Sequence, residues 1–111
     1  MLEPEVAAYL REIRRLLAPD GRMVATFFLL NAGSCRALAA NPCRIPFDYR
    51  TERFWAYSQD LPEVAIAFRE DVVHDLFAQA RLQVQRIDFG DWCGRRPGLS
   101  YQDVVAAVPG P

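Results

Sequence analysis

Five side chains in this sequence are of types that bind and orient a small molecule: Asn31, Trp92, Arg95, Tyr101 and Gln102. Two amides, an indole, a guanidinium and a phenol supply hydrogen bonds and flat apolar surface, and such groups can align a reacting atom without a dedicated base. No general base stands among them, so no residue is given a catalytic role. An architectural alternative stays open, in which Trp92 packs, Ser100 or Asp103 caps a turn and Gln102 satisfies backbone groups. His74 is the sole histidine and falls on the polar side of a helical pattern, where it reads as a surface residue. Cys35, Cys43 and Cys93 are odd in number and lack paired CxxC spacing, which argues against a disulfide framework and a structural zinc site. No metal ligands are assigned.

The elements that must position these side chains follow from hydrophobic spacing. Val6, Tyr9, Leu10, Ile13, Leu16 and Leu17 recur every three or four residues, with Glu5, Arg11, Glu12, Arg14 and Arg15 opposite, which predicts an amphipathic helix. Pro4 suits its first turn, while Pro19, Asp20 and Gly21 stop it and turn the chain, the glycine accepting a positive φ. Met23 to Leu30 is apolar at nearly every position, as in a strand covered on both faces. Ala32 to Pro46 reads as an irregular connection with a short helical turn through Arg36 to Ala40. Phe54, Trp55 and Tyr57 suggest a short extended piece, and Leu61 to Glu63 a turn.

A second helix begins at Glu70 and Asp71, with Val72, Val73, Leu76, Phe77 and Ala80 on its inner stripe. Leu82, Val84, Ile87 and Phe89 predict a strand ending at Gly90, and Tyr101 to Val108 another. The link between these two is too short for a crossover helix, so they are expected to be antiparallel. The order is helix, strand, helix, strand, antiparallel strand. In an open α/β sheet ligands sit beyond the carboxyl ends of the parallel strands, where Asn31, Trp92, Arg95, Tyr101 and Gln102 are expected to converge.

Three stretches carry a family resemblance: YLREIRRLLAPDGRMVATFFLLN from Tyr9 to Asn31, PEVAIAFRED leading into the second helix, and WCGR followed by LSYQD. Together they resemble the C-terminal half of a class I S-adenosylmethionine (SAM)-dependent methyltransferase, over about Pro4 to Ala107. The resemblance implies a partial Rossmann-like methyltransferase sheet that finishes with a parallel strand, a helix, a sixth strand and an inserted antiparallel seventh. It also implies a parent reaction of methyl transfer from SAM to an unknown acceptor, which the five residues would contact. Phe68 stands where the family usually has Tyr, and Arg81 where it usually has Gly, a change that strains a helix terminus preferring a left-handed residue.

The family's glycine-rich loop and ribose-binding acid cannot be placed in this chain. Gly90 to Gly94 and Gly94 to Gly98 supply glycines, but no helix opens behind the first. No SAM-binding residues are assigned, and the fragment alone is not expected to bind SAM or to be competent. An unrelated small α/β module remains the alternative fold reading. Met1-Leu2-Glu3-Pro4 falls where a longer family member passes from its fourth strand into this helix, so a split or truncated gene is the plainest account.

Length and composition frame these readings. The 111 residues fit one partial domain spanning 1–111, and 51% apolar with 24% charged residues is the balance of a globular chain. A net charge of −1 gives no long-range attraction to nucleic acid or anionic lipid. All 13 basic residues are arginine, from which no function is taken. No apolar run reaches the ~18 residues of a membrane span, and the start does not resemble a secretory signal. A reducing cytoplasm is the expected compartment. If the strand Met23 to Leu30 has lost the neighbour on its other edge, the exposed apolar edge is a template for association, so a homo-oligomer or a separately encoded N-terminal half is the expected partner. A further alternative is a small ligand-binding module built on Phe47, Tyr49, Phe54, Trp55 and Tyr57.

Overall fold

The computed structural model describes residues 1–40, 45–94 and 100–111. It is a mixed α/β structure with three helices and one six-stranded mixed sheet.

The first helix, α1, spans Glu3–Leu16. Pro4 sits in its first turn, where a missing N–H costs nothing, and Glu5 reaches back to accept the Leu2 N–H at 3.1 Å. Acidic Glu3 and Glu5 at its start and basic Arg14 and Arg15 at its end complement the helix dipole. Val6 and Leu10 are buried and Ile13 packs beside them, but Tyr9 and Leu16 are exposed at 58% and 70%. The buried stripe is thus narrower than the spacing predicts. The helix stops at Leu17, whose extended backbone precedes Pro19. Gly21 keeps an ordinary φ, contrary to expectation. Glycine supplies room there, because a Cβ would lie 2.9 Å from the Leu17 side chain.

Strand β1, Met23–Leu30, is the centre of the sheet. Its odd-numbered side chains, Met23, Ala25, Phe27 and Leu29, join one core. Phe28 and Leu30 join a second core on the opposite face, but Val24 on that face is 60% exposed, so the expected cover on both faces holds over only part of the strand. Helix α2, Ala32–Ala40, starts one residue after the strand, so the expected irregular connection is helical almost from its beginning. Asn31 and Ser34 explain this, since each side chain bonds the other's backbone N–H, at 2.8 and 2.9 Å.

A meander follows: β2 (Tyr49–Arg50), β3 (Phe54–Ala56), a single 3₁₀ turn (Pro62–Val64) and β4 (Ile66–Arg69). β4 pairs parallel with β1 over Phe28–Leu30. The edge of β1 expected to lack a neighbour therefore has one at its carboxyl end. Helix α3, Glu70–Gln79, buries Val72, Val73, Leu76 and Phe77 against the first core, as its stripe predicts. Just past its Ala80 cap, Arg81 has a φ of 63°, which places a non-glycine residue in the left-handed region.

The last two strands are β5 (Leu82–Asp88) and β6 (Asp103–Pro109). They are antiparallel, as expected, and β6 lies between β5 and β1, antiparallel to both. The sheet order is β2-β3-β4-β1-β6-β5. The expected sequence of five elements is extended by α2, β2, β3 and β4.

Candidate functional site

β1 and β4 are parallel neighbours, and the helix that follows each leaves on a different face of the sheet. α2 places Ala37 and Leu38 on the second core, whereas α3 packs on the first, beside α1. Diverging connections open a crevice at the carboxyl ends of the two strands, the usual place for a ligand in an open α/β sheet. Here it is a shallow depression of about 400 Å³ lined by Leu30, Asn31, Arg69, Glu70, Asp71 and His74.

The polar groups in that depression form a chain. The Asn31 Oδ1 accepts the Ser34 N–H at 2.8 Å, which turns its Nδ2 outward to donate to Glu70 Oε1 at 2.9 Å. The other oxygen of Glu70, Oε2, lies 3.1 Å from His74 Nε2, one helical turn along α3. Arg69 bonds Asp71 at 2.6 Å and the Glu52 carbonyl at 3.3 Å, while Asp71 also accepts the Val72 N–H. The spacing of Glu70 and His74 at i, i+4 is visible in the sequence. Their link to Asn31 spans 39 residues and depends on β4 lying beside β1.

The other expected site residues have different surroundings. Trp92 is buried, 3% exposed, with its ring edge-on to Phe28 at 5.2 Å and Phe47 at 5.9 Å. Its indole N–H donates to Asp103 Oδ2 at 2.9 Å. Tyr101 is 39% exposed and sits edge-on to Phe28 at 6.0 Å, and its carbonyl accepts the Trp92 backbone N–H. Gln102 is half-buried, its carbonyl accepts the Ser100 hydroxyl at 2.7 Å, and it lines a separate depression beside Thr26, Phe28 and Val64. Arg95 lies outside the described residues. The structure therefore brings Trp92 and Tyr101 together through Phe28, and ties Asn31 to Glu70 and His74.

No protein-family model matches this chain, and no solved structure matches it. Its chemistry must be read from its own residues.

The carboxylate that organises this end of the sheet is Asp103. Fully buried, it accepts the Leu29 N–H at 2.8 Å, the Gly90 N–H at 2.7 Å and the Trp92 indole. One side chain thus ties β1, the end of β5 and the Trp92 loop. Close approach of the chains requires glycine at position 90, because a Cβ would lie 2.3 Å from the Tyr101 carbonyl oxygen and 2.5 Å from that of Gln102. Gly94, with φ 92°, closes a turn in which its N–H bonds the Asp91 carbonyl.

These contacts bear on the SAM implied by the resemblance. A glycine that cradles a cofactor faces open space that a Cβ would fill, whereas Gly90 faces its own chain. Gly90 therefore offers no cradle for a cofactor. No group of three or more His, Cys, Asp or Glu suited to a metal occurs among the described residues. The described helices include none long and apolar enough to cross a membrane.

The aromatic set proposed as a ligand module is split between two cores. Phe47 packs in the second with Phe28 and Trp92, and Trp55, covered by the Arg50 guanidinium at 3.9 Å, packs against it, whereas Phe54 lies between Tyr49 and Phe68 on the first. Apolar and cation–π packing account for these four residues.

Proposed function

We propose that residues 1–111 form the C-terminal, acceptor-side part of a class I SAM-dependent methyltransferase-like domain, whose parent reaction moves a methyl group from SAM to an acceptor. The observation that carries this reading is β6, inserted antiparallel between β1 and β5 in the order β1-β6-β5. A strand that enters a sheet between its two predecessors, against both, is the ending implied by the three resembling stretches. The crevice at Leu30, Asn31 and Glu70 then lies on the side where an acceptor would be held. The groups that would hold SAM are not among these residues, so the chain alone is not competent in this reading.

Two titrations test it. Calorimetry with SAM and S-adenosylhomocysteine should give no saturable heat for the 111-residue chain. A fusion that places the glycine-rich N-terminal half of a class I methyltransferase ahead of α1 should bind S-adenosylhomocysteine. A folded fusion that binds none would sink the proposal.

A second reading, an oligomerising fragment, has one specific observation in its favour. β4 pairs with β1 only over Phe28–Leu30, and the adjoining depression is lined by Met1, Val6, Thr26, Phe27 and Val64, among others. Met1 and Val64 are exposed at 53% and 61%. A partly apolar hollow, which Glu63 and Gln102 also line, beside a half-paired edge favours a second chain. Light scattering that shows a monomer at high concentration would remove this reading.

A further inference from the structure

We infer that the crevice between β1 and β4 binds a small uncharged hydroxyl compound, whose O–H donates to Nδ1 of His74. This rests on the acceptor-side reading above and names the acceptor class within it: an oxygen nucleophile.

The argument begins with the orientation of Asn31. Its Oδ1 is engaged by the Ser34 N–H, so its Nδ2 must be the atom facing Glu70. Glu70 therefore accepts through Oε1, and as an ionised carboxylate it is an acceptor at Oε2 as well. An acceptor 3.1 Å from His74 Nε2 requires the hydrogen of the neutral ring to sit on Nε2. Nδ1 then carries the lone pair. The ring is half-exposed, its side chain 47% accessible, so that lone pair belongs to a group a ligand can reach. A carboxylate fixed on one side and an imidazole presenting a basic nitrogen on the other is an arrangement suited to accepting a hydroxyl hydrogen.

Charge decides the ligand class. Arg69 is engaged by Asp71 and the Glu52 carbonyl, and Glu70 by Asn31 and His74. Arg69, Glu70 and Asp71 give the lining one positive and two negative side chains, so an anion such as a phosphate or carboxylate is disfavoured. Leu30, 5% exposed, gives the hollow an apolar contact. An uncharged molecule with one hydroxyl and some apolar surface matches both.

The test is an amide-resolved NMR titration with phenol at about pH 7.5, where the compound is un-ionised and an ordinary imidazole is largely neutral. It runs beside anisole, which lacks the O–H, and benzoate, which carries a charge. Expected are shifts confined to residues 30–34 and 69–75 with phenol, and weak or no shifts with the other two. His74→Gln, on the exposed side of α3, should weaken phenol binding roughly tenfold, the scale of one hydrogen bond. Glu70→Ala, which frees the ring tautomer, should weaken it too. Equal binding of anisole, tighter binding of benzoate, no shifts at these residues, or unchanged affinity in His74→Gln would each overturn the inference. A fusion that binds no S-adenosylhomocysteine beside a chain that binds phenol would instead remove the methyltransferase reading and leave the hydroxyl site standing.

Discussion

Replacing Asp103 is the most demanding test of how this sheet is held. Among the described residues, Oδ2 takes the Leu29 N–H and the Trp92 indole N–H, and Oδ1 takes the Gly90 N–H. Asp103→Ala strands three donors in a buried place. Each unsatisfied buried donor costs about 1–3 kcal/mol, and bonds to a charged acceptor lie at the upper end. Discounted for relaxation, since the three donors share one cavity, the expected loss is about 3–5 kcal/mol. Against a total stability of roughly 5–15 kcal/mol, this removes much of the margin, and the urea midpoint should fall steeply. Asp103→Asn separates the bonds. Its single carbonyl oxygen can occupy the Oδ2 position and keep two of them, which forces the NH₂ against the Gly90 N–H. One donor is lost and two donors face each other, so about 1–3 kcal/mol should go, with the fold retained. Urea unfolding followed by Trp fluorescence reads both variants, with the slope against denaturant checking that the denatured state is unchanged. An Asp103→Ala protein within about 1 kcal/mol of the parent, at equal slope, would refute the role given to this carboxylate.

Four further substitutions follow from local geometry. Gly90→Ala drives a Cβ into the Tyr101 and Gln102 carbonyls and should cost at least about 2 kcal/mol, read as a lowered thermal midpoint. Arg81→Gly should stabilise by up to about 1 kcal/mol, because relief of the left-handed strain at φ 63° exceeds the extra entropy glycine loses; a midpoint rise of a few degrees checks it. Arg14→Met removes bonds from the guanidinium to the Arg81 and Gly110 carbonyls and should cost about 1–2 kcal/mol by urea unfolding. Arg15→Ala should not shift the midpoint. Its hydrogen bond holds the Glu12 carboxyl below the usual carboxylate range, a contribution lost as pH falls, but both groups lie fully in water where such a pair is screened.

Periodicity revealed the elements that bury a face along their whole length. The α1 and α3 stripes, the apolar β1 run and the antiparallel β5–β6 pair are each set by residues close in sequence. The β2–β4 meander was less legible, because strands of two to four residues are defined by the chain they pair with. Tyr9 and Leu16 matched the helical spacing, yet no described element covers them, so apolar type and period alone overstate the stripe. At the site, Trp92 and Gln102 were legible as chemistry-bearing residues. What decides the role of Trp92 is Asp103, whose donors Leu29, Gly90 and Trp92 come from separate segments, and no spacing rule connects Leu29 to a carboxylate 74 residues later. His74 shows the converse. As a lone histidine on a polar face it carried no signal, and it gained a context only when β4 brought Glu70 to Asn31.

The carboxyl edge of the sheet is secured unequally on the two sides of β1, and this bears on where function can reside. Toward β6, five residues of β1 are paired and the buried Asp103 ties the strand end to the loop beyond β5. Toward β4 the register covers three residues, and the remaining tie across the crevice is the half-buried Asn31–Glu70 bond. Ala67 and Phe68 are as buried as Val105 and Ala107, so the difference lies in the length of pairing, and the side with the shorter register should open at lower free energy, the end of the scale from which binding elements are drawn. Hydrogen exchange should therefore find the amides of Ala67 to Arg69 exchanging well before those of Val104 to Ala107. A ligand seated on Asn31, Glu70 and His74 would bridge the side that opens first and should slow exchange there selectively, by the factor its concentration exceeds its dissociation constant. Uniform protection on both sides of β1 would show that the meander is as firmly built into the sheet as β6, and would remove the physical reason for the crevice to respond to a ligand.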